Sequence, residues 1–345
     1  MLLNMSEPIS TPTPSEPSEI AGGTLAPPTD PVLVTTRRAA EICGVHVSTV
    51  KRWCEAGELP CEYTEGGHRR IRLLELTCFA DDRKLQVPML VFGETVEEVW
   101  SRSAEALERK HFEPLVLLWF DWLMRDQPAF LAPSMELLLD EGMPLPELFD
   151  QAVAPLGRRI GEAWHDGRIR ISDEHRSTQH ILDALHGLRL SPARIRRPVS
   201  QSEARVQAIV GAAEGNEHMM AAFMLRLVLE DRGIPVIYLG ANVPGDEFGA
   251  QQFRSGAGLI CASLAHPQGA ADAQRLVRNL AQNYAPDSPY HVVMGGSALV
   301  GEAPAFAYTP FRSCSVMQTL SQFATWLDDQ GLSRGSELPA GATDG

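Results

Sequence analysis

At 345 residues, with 44 acidic against 30 basic side chains and a net charge of −14, the chain is too long for one ordinary compact domain. It is also too acidic to coat nucleic acid with its whole surface. No run of about 18 apolar residues interrupts it and its first residues lack the basic start and apolar core of a secretory signal, so a cytoplasmic protein with no membrane partner is expected.

The six cysteines show neither a C-x-x-C pair nor a zinc spacing, as reduced thiols would. Residues 1–32 and 331–345 are rich in Pro, Ser, Thr and Gly and poor in large apolar side chains, so both ends are expected to be disordered tails. Composition marks three folded segments between them: 33–84, 91–190 and 204–330.

In VTTRRAAEICGVHVSTVKRWCEAGELP, Thr36 is expected to cap a short helix and Gly44 to turn the chain, after which Ser48 caps a second helix carrying Val50 and Trp53. YTEGGHRRIR then has the glycine pair and alternation of a hairpin. Thr49, Lys51 and Arg52 fall on the outer side of the second helix, and His68, Arg69 and Arg70 around the hairpin tip. The segment resembles the MerR and excisionase type of winged helix-turn-helix. That resemblance implies a double-stranded DNA operator as partner, with the helix in the major groove and the basic wing on phosphates or in the minor groove.

The second segment repeats apolar residues at three- and four-residue steps through ETVEEVWSRSAEALERK, EPLVLLWFDWLMRD, PSMELLLDEG and PLPELFDQAVAPLGRRIGEAW. A further helix is expected to be capped by Ser172, and a four-helix bundle is the expected fold. Trp119 and Trp122 read as core. Trp164 and His165 end one helix just before Gly167, and Glu174 and His175 begin the next, so these four residues are expected on one side of the bundle.

The third segment alternates β-branched runs, RVQAIVGAA, PVIYLGA, GLICASLA and YHVVMGG, with stretches of helical spacing, which implies a parallel α/β sheet of flavodoxin-like type. Ligands of such sheets bind beyond the strands' carboxyl ends. There stand Asn216 and His218 after the first strand, Ser263 at the third, and Gly295 and Gly296 after the fourth.

A histidine after the first strand, a serine in ASL and a glycine pair resemble the cobalamin-binding domain. In that family the histidine is the lower cobalt ligand, the serine contacts the displaced base and the glycines leave room for its tail. Two positions depart from the pattern: Asn216 stands where an acid is expected and Ala221 where a glycine is.

Trp164, nine residues, then Glu174–His175 resembles the W-x9-EH signature of the CarH/LitR family of light-sensing transcriptional repressors, whose three domains come in this order. The resemblance implies adenosylcobalamin as cofactor, Trp164 and Glu174 against the adenosyl group, and His165 as an upper cobalt ligand after light. It further implies a homo-oligomer, a tetramer in the dark, and a non-enzymatic repressor of carotenoid or photoprotective genes. A corrinoid methyltransferase component is a rival reading, and so is a regulator of the same architecture that uses no cobalamin.

Overall fold

The computed structural model describes residues 30–191, 206–301, 306 and 309–333. The proposed tails therefore lie largely outside the described residues. The first module is a three-stranded sheet with three helices: β1 (Leu33–Thr35), α1 (Thr36–Cys43), α2 (Val47–Glu55), β2 (Glu62–Tyr63), β3 (Arg69–Arg72) and α3 (Leu73–Asp82). β3 lies between β1 and β2 and is antiparallel to both. Two caps differ from expectation by a position or two. Thr35 caps α1, its hydroxyl accepting from the Arg38 N–H, and His46 caps α2 through its ring nitrogen. Pairing of Leu33–Thr35 with β3 holds Thr35 in the extended conformation a cap needs.

The bundle comprises α4 (Val96–Arg109), α5 (Glu113–Met124), α6 (Leu131–Asp140), α7 (Leu145–Leu148), α8 (Ala154–His165) and α9 (Ile171–Leu190). A π-helical turn over Phe149–Val153 joins α7 to α8, so 145–165 is one continuous helical rod. Trp119 and Trp122 are core as expected, and the Trp119 indole N–H donates to the Ser134 hydroxyl at 2.9 Å. Ser172 is not the cap of α9. Arg170 holds that place, its N–H donating to the Asp173 carboxylate at 3.0 Å.

The third unit alternates β4 (Ala208–Ala213), α10 (Met220–Asp231), β5 (Val236–Val243), α11 (Gly245–Ser255), β6 (Leu259–Ser263), α12 (Ala270–Gln282), β7 (His291–Gly295), β8 (Ser313–Met317) and α13 (Leu320–Asp329). All pairings are parallel, in the order β5-β4-β6-β7-β8. That is the flavodoxin-like order, with its switch point between β4 and β6. β8 has no counterpart among the sequence-read strands. As an edge strand, SCSVM is only half-buried, and its serines and cysteine dilute the apolar pattern.

Alternate residues of β4 serve two cores. Ala208, Val210 and Ala212 pack with α10 and α13, continuous with the bundle, while Ile209 and Ala213 pack with Phe248 of α11 and Leu276 of α12. The bundle is tied to its neighbours by specific contacts. Arg72 bonds Glu97 at 3.0 and 3.1 Å, Arg38 bonds Glu141, and Arg189 bonds Glu230 at 2.7 and 3.2 Å. Asp150, in the π turn, caps α13 by accepting from the Leu320 and Ser321 N–H groups at 2.9 and 2.8 Å and the Ser321 hydroxyl at 2.6 Å.

Candidate functional site

At the switch point the chain leaves β4 through a loop held by three side-chain amides. Asn216 is 2% exposed; its Oδ1 accepts from the His218 N–H at 2.9 Å and its Nδ2 donates to the Ser263 carbonyl at 3.1 Å. From β5, Asn242 accepts from the Gly215 N–H and donates to Glu217, both at 2.8 Å. It does so from a left-handed φ of +52°, a conformation asparagine tolerates better than most residues. From the other side Gln268 donates to the Glu214 carbonyl at 2.8 Å and accepts from the Ala265 N–H at 3.0 Å.

This bracing presents His218 exposed at the start of α10. It also gives the asparagine a role where the resemblance expects an acid, since an amide both accepts from the His218 backbone N–H and donates to the Ser263 carbonyl, whereas an ionised carboxylate could only accept. Glu217 is engaged with Asn242, and among the described residues no side chain is recorded bonding to the His218 ring. Asn242 and Gln268 went unread in the sequence, because lone amides carry no motif.

Ser263 ends β6 at 4% exposure, and its hydroxyl has no hydrogen-bond partner among the described residues. Such an orphan costs about 1–3 kcal/mol, so a buried hydroxyl at the strand's carboxyl end is an unfilled bonding position. The glycines have a more local reason. A Cβ on Gly295 would stand 2.7 Å from the Met317 carbonyl oxygen, and one on Gly296, at φ +116°, would stand 2.2 Å from that of Leu264. On the far flank of the β4 loop, Ala213, Glu214, Gly245 and Gln268 help line a cavity of about 10 Å³, room for roughly one water.

The bundle packs on the sheet unit chiefly through α9 against α10 and α7 against α13. α8 reaches the start of α10 at one point, where a Cβ on Gly157 would lie 2.6 Å from the methyl group of Met220, two residues after His218. Trp164 follows two helical turns later, about 10 Å along the axis. It is 47% exposed, and Ile171 and Met219 are exposed as well. α8 ends at His165 with Asp166 as its C-cap, Gly167 takes a left-handed φ of +71°, and α9 begins at Ile171, packed against α8. Glu174 is bonded within its own helix, to the His175 ring and to the Thr178 hydroxyl at 3.0 Å. His165 and His175 are exposed.

In the first module Lys51 and Arg52 are exposed on α2, Thr49 is half-buried beside them, and His68 is exposed at the hairpin tip. Arg70 is half-buried in β3. Arg69 turns back from the tip, bonding Glu55 at 2.9 Å and lying over the Tyr63 ring at 5.6 Å. A phosphate contact from Arg69 would therefore compete with Glu55.

Residues 33–83 match the helix-turn-helix domain family. Over 230 residues the chain is 24% identical to the HTH-type transcriptional repressor CarH of Myxococcus xanthus, spanning 61% of this chain and 72% of that protein. Among solved structures it is similar to the monomethylamine corrinoid protein of Methanosarcina barkeri, at 16% identity and a TM-score of 0.46, covering 60% of this chain and 94% of that one. A cobalamin-binding protein from Desulfitobacterium hafniense is similar at 16% identity and a TM-score of 0.31, covering 66% and 96%. Among the described residues no helix is long and apolar enough to cross a membrane.

Proposed function

We propose that this protein is a DNA-binding transcription regulator whose bundle and α/β unit hold a cobalamin between them. The observation that carries the reading is the orphaned Ser263 hydroxyl beside the braced His218 loop, on the chain that bears the helix-turn-helix module. The residues present suit a corrinoid. His218 would hold the cobalt from below, and Ser263 would bond the displaced base. Trp164 and Glu174 would face an adenosyl group, with His165 and His175 nearby and His165 the second nitrogen that could reach the metal.

When bound, adenosylcobalamin supplies a cobalt–carbon bond weak enough for visible light to break. The chain's part is to make its bundle position depend on what fills the space beside Trp164, against the Asp150, Arg189 and Met220 contacts that tie bundle to sheet. We propose a cytoplasmic repressor that assembles as a homotetramer in the dark, so that several weak helix-turn-helix modules bind an operator with avidity.

The asparagine at 216, spent on the backbone, and the self-bonded Glu174 favour one alternative, a regulator of this architecture that responds to another ligand. The visible spectrum of the purified protein, with and without adenosylcobalamin and before and after green light, decides between them. Light scattering and DNA binding are measured on the same samples. A cobalamin spectrum that changes with light, together with a fall in mass and DNA affinity, is expected. Unchanged mass and affinity after complete photolysis would end the light-switch reading, and failure to bind any cobalamin would favour the alternative.

A further inference from the structure

Neighbouring connections part at the carboxyl ends of β4 and β6. β4 leads to α10 on the face shared with the bundle, while β6, paired beside it, leads to α12 on the opposite face. Ser263 ends β6 in the crevice between them, its buried hydroxyl without a partner among the described residues.

The two sides of Ser263 are closed by different means. Toward β7 the closure is backbone: the Leu264 N–H donates to the Gly295 carbonyl at 2.8 Å, the Ala298 N–H donates to the Leu264 carbonyl at 3.3 Å, and the Leu264 oxygen leaves no room for a Cβ at Gly296. Toward β4 the strand pairing stops at Ala212 and Ser263. Beyond that pair, among the described residues, the hydrogen bonds that cross come from two side-chain amides, Asn216 and Gln268.

Of these, Asn216 is buried and holds the strand ends themselves. Gln268 is half-buried, next to the exposed His266 and Pro267, and its Nε2 donates across the crevice to the carbonyl of the exposed Glu214 at 2.8 Å. The turn it reaches from is closed without that bond. The Gln268 N–H donates to the Ala265 carbonyl, and its Oε1 accepts from the Ala265 N–H, both at 3.0 Å. The contact with Glu214 therefore stabilises the closed crevice and not the turn.

Little space lies behind it. The cavity that Ala213, Glu214, Gly245 and Gln268 help to line is about 10 Å³, whereas a site that buries a whole ligand is usually about 300–1,000 Å³. A heteroaromatic base that reaches the Ser263 hydroxyl must part the loops after β4 and β6. Toward β7 it would have to break backbone bonds; toward β4 the outer closure is one side-chain bond.

We propose that Gln268 is a strap across this crevice, released when the displaced nucleotide base of a cobalamin enters, and that it sets the preference between corrinoids with and without that base. The inference rests on the cobalamin reading. The Asn216 and Asn242 bonds hold the His218 loop in place when the strap lets go. Because the Gln268 bond to Glu214 exists only in the closed form, a ligand with a nucleotide tail must offset its loss, and a tailless one need not.

The test compares adenosylcobalamin with adenosylcobinamide, which has the same corrin and adenosyl group but no nucleotide. Dissociation constants are measured by equilibrium dialysis in the dark, with the full chain and with Gln268→Ala. The substitution should tighten adenosylcobalamin binding about fivefold, the net worth of one hydrogen bond, and change adenosylcobinamide binding by less than about twofold. A residue that merely braced the fold would give the opposite sign, with both ligands bound more weakly. Where circular dichroism shows that Gln268→Ala does not fold, Gln268→Met, which keeps the length and lacks the amide, takes its place. Adenosylcobalamin binding that is unchanged or weaker, or equal tightening for both corrinoids, overturns the strap and leaves the cobalamin reading standing. A wild type that binds neither corrinoid overturns both.

Discussion

The two halves of the candidate site are built in opposite ways. On the sheet side, the loop bearing His218 is braced by Asn216, Asn242 and Gln268, with short backbone approaches that exclude any Cβ at Gly295 and Gly296. On the bundle side, Trp164, His165 and His175 stand exposed at helix ends, and Glu174 bonds only within its own helix. The first is a preorganised base whose geometry is settled before anything binds. The second is a set of side chains at exposed helix ends, on a helical rod anchored some distance away by Asp150, and it is the part proposed to cover the cofactor.

Substitutions test how far that contrast holds. Within the candidate site the largest effect is expected for Gly296→Ala, which combines a left-handed φ with a backbone oxygen that cannot step aside. A loss of about 4 kcal/mol in urea unfolding is expected, and a loss under about 1 kcal/mol would show the loop to be softer than it is drawn. Next comes Asn216→Asp, which buries a carboxylate and removes the donor to Ser263. It should cost about 3 kcal/mol at neutral pH. A variant as stable as wild type with tighter cobalamin binding would instead restore the acid's role as a partner of His218.

Asp150→Ala tests the joint between the two halves. Loss of its three bonds to α13 should cost about 2 kcal/mol and speed amide exchange at Leu320 and Ser321, while leaving exchange in β4 and β6 unchanged. Trp164→Ala should have the smallest effect, under about 1 kcal/mol, because the ring is 47% exposed. Trp119→Ala, fully buried in the same bundle, should cost about 3–5 kcal/mol. A comparable cost at Trp164 would make it a packing residue and remove it from the cover.

Much of the architecture was readable from pattern alone, because burial imposes periodicity. The α/β alternation showed in Ala208–Ala213 and Leu259–Ser263, which are buried on both faces and so run continuously apolar. The helix-turn-helix showed because Gly44 and the glycine pair at 66 and 67 punctuate it. β1 and β8 did not show: β1 is three residues long with only its central residue buried, and the two serines and the cysteine of half-buried β8 dilute its apolar signal, whereas β5, also an edge strand, keeps an apolar run. Caps slipped by one or two residues for a related reason: an N-cap depends on which residue the preceding chain holds extended, and at Thr35 that is decided by pairing with β3, some 35 residues on.

The candidate site divides in the same way. Sequence by itself determined which residue types stand at the sheet's carboxyl edge and at the helix ends, and in what spacing, because a motif is local and each of these stretches is short. Only the tertiary structure decided what those residues do with their bonds. Asn216 is spent between His218 and Ser263, Glu217 on Asn242, and Arg69 on Glu55, while Ser263 is left with a buried hydroxyl and no partner among the described residues. Whether a polar side chain is free to meet a ligand depends on neighbours that are distant along the chain but within about 3 Å in space, and no local pattern encodes that distance.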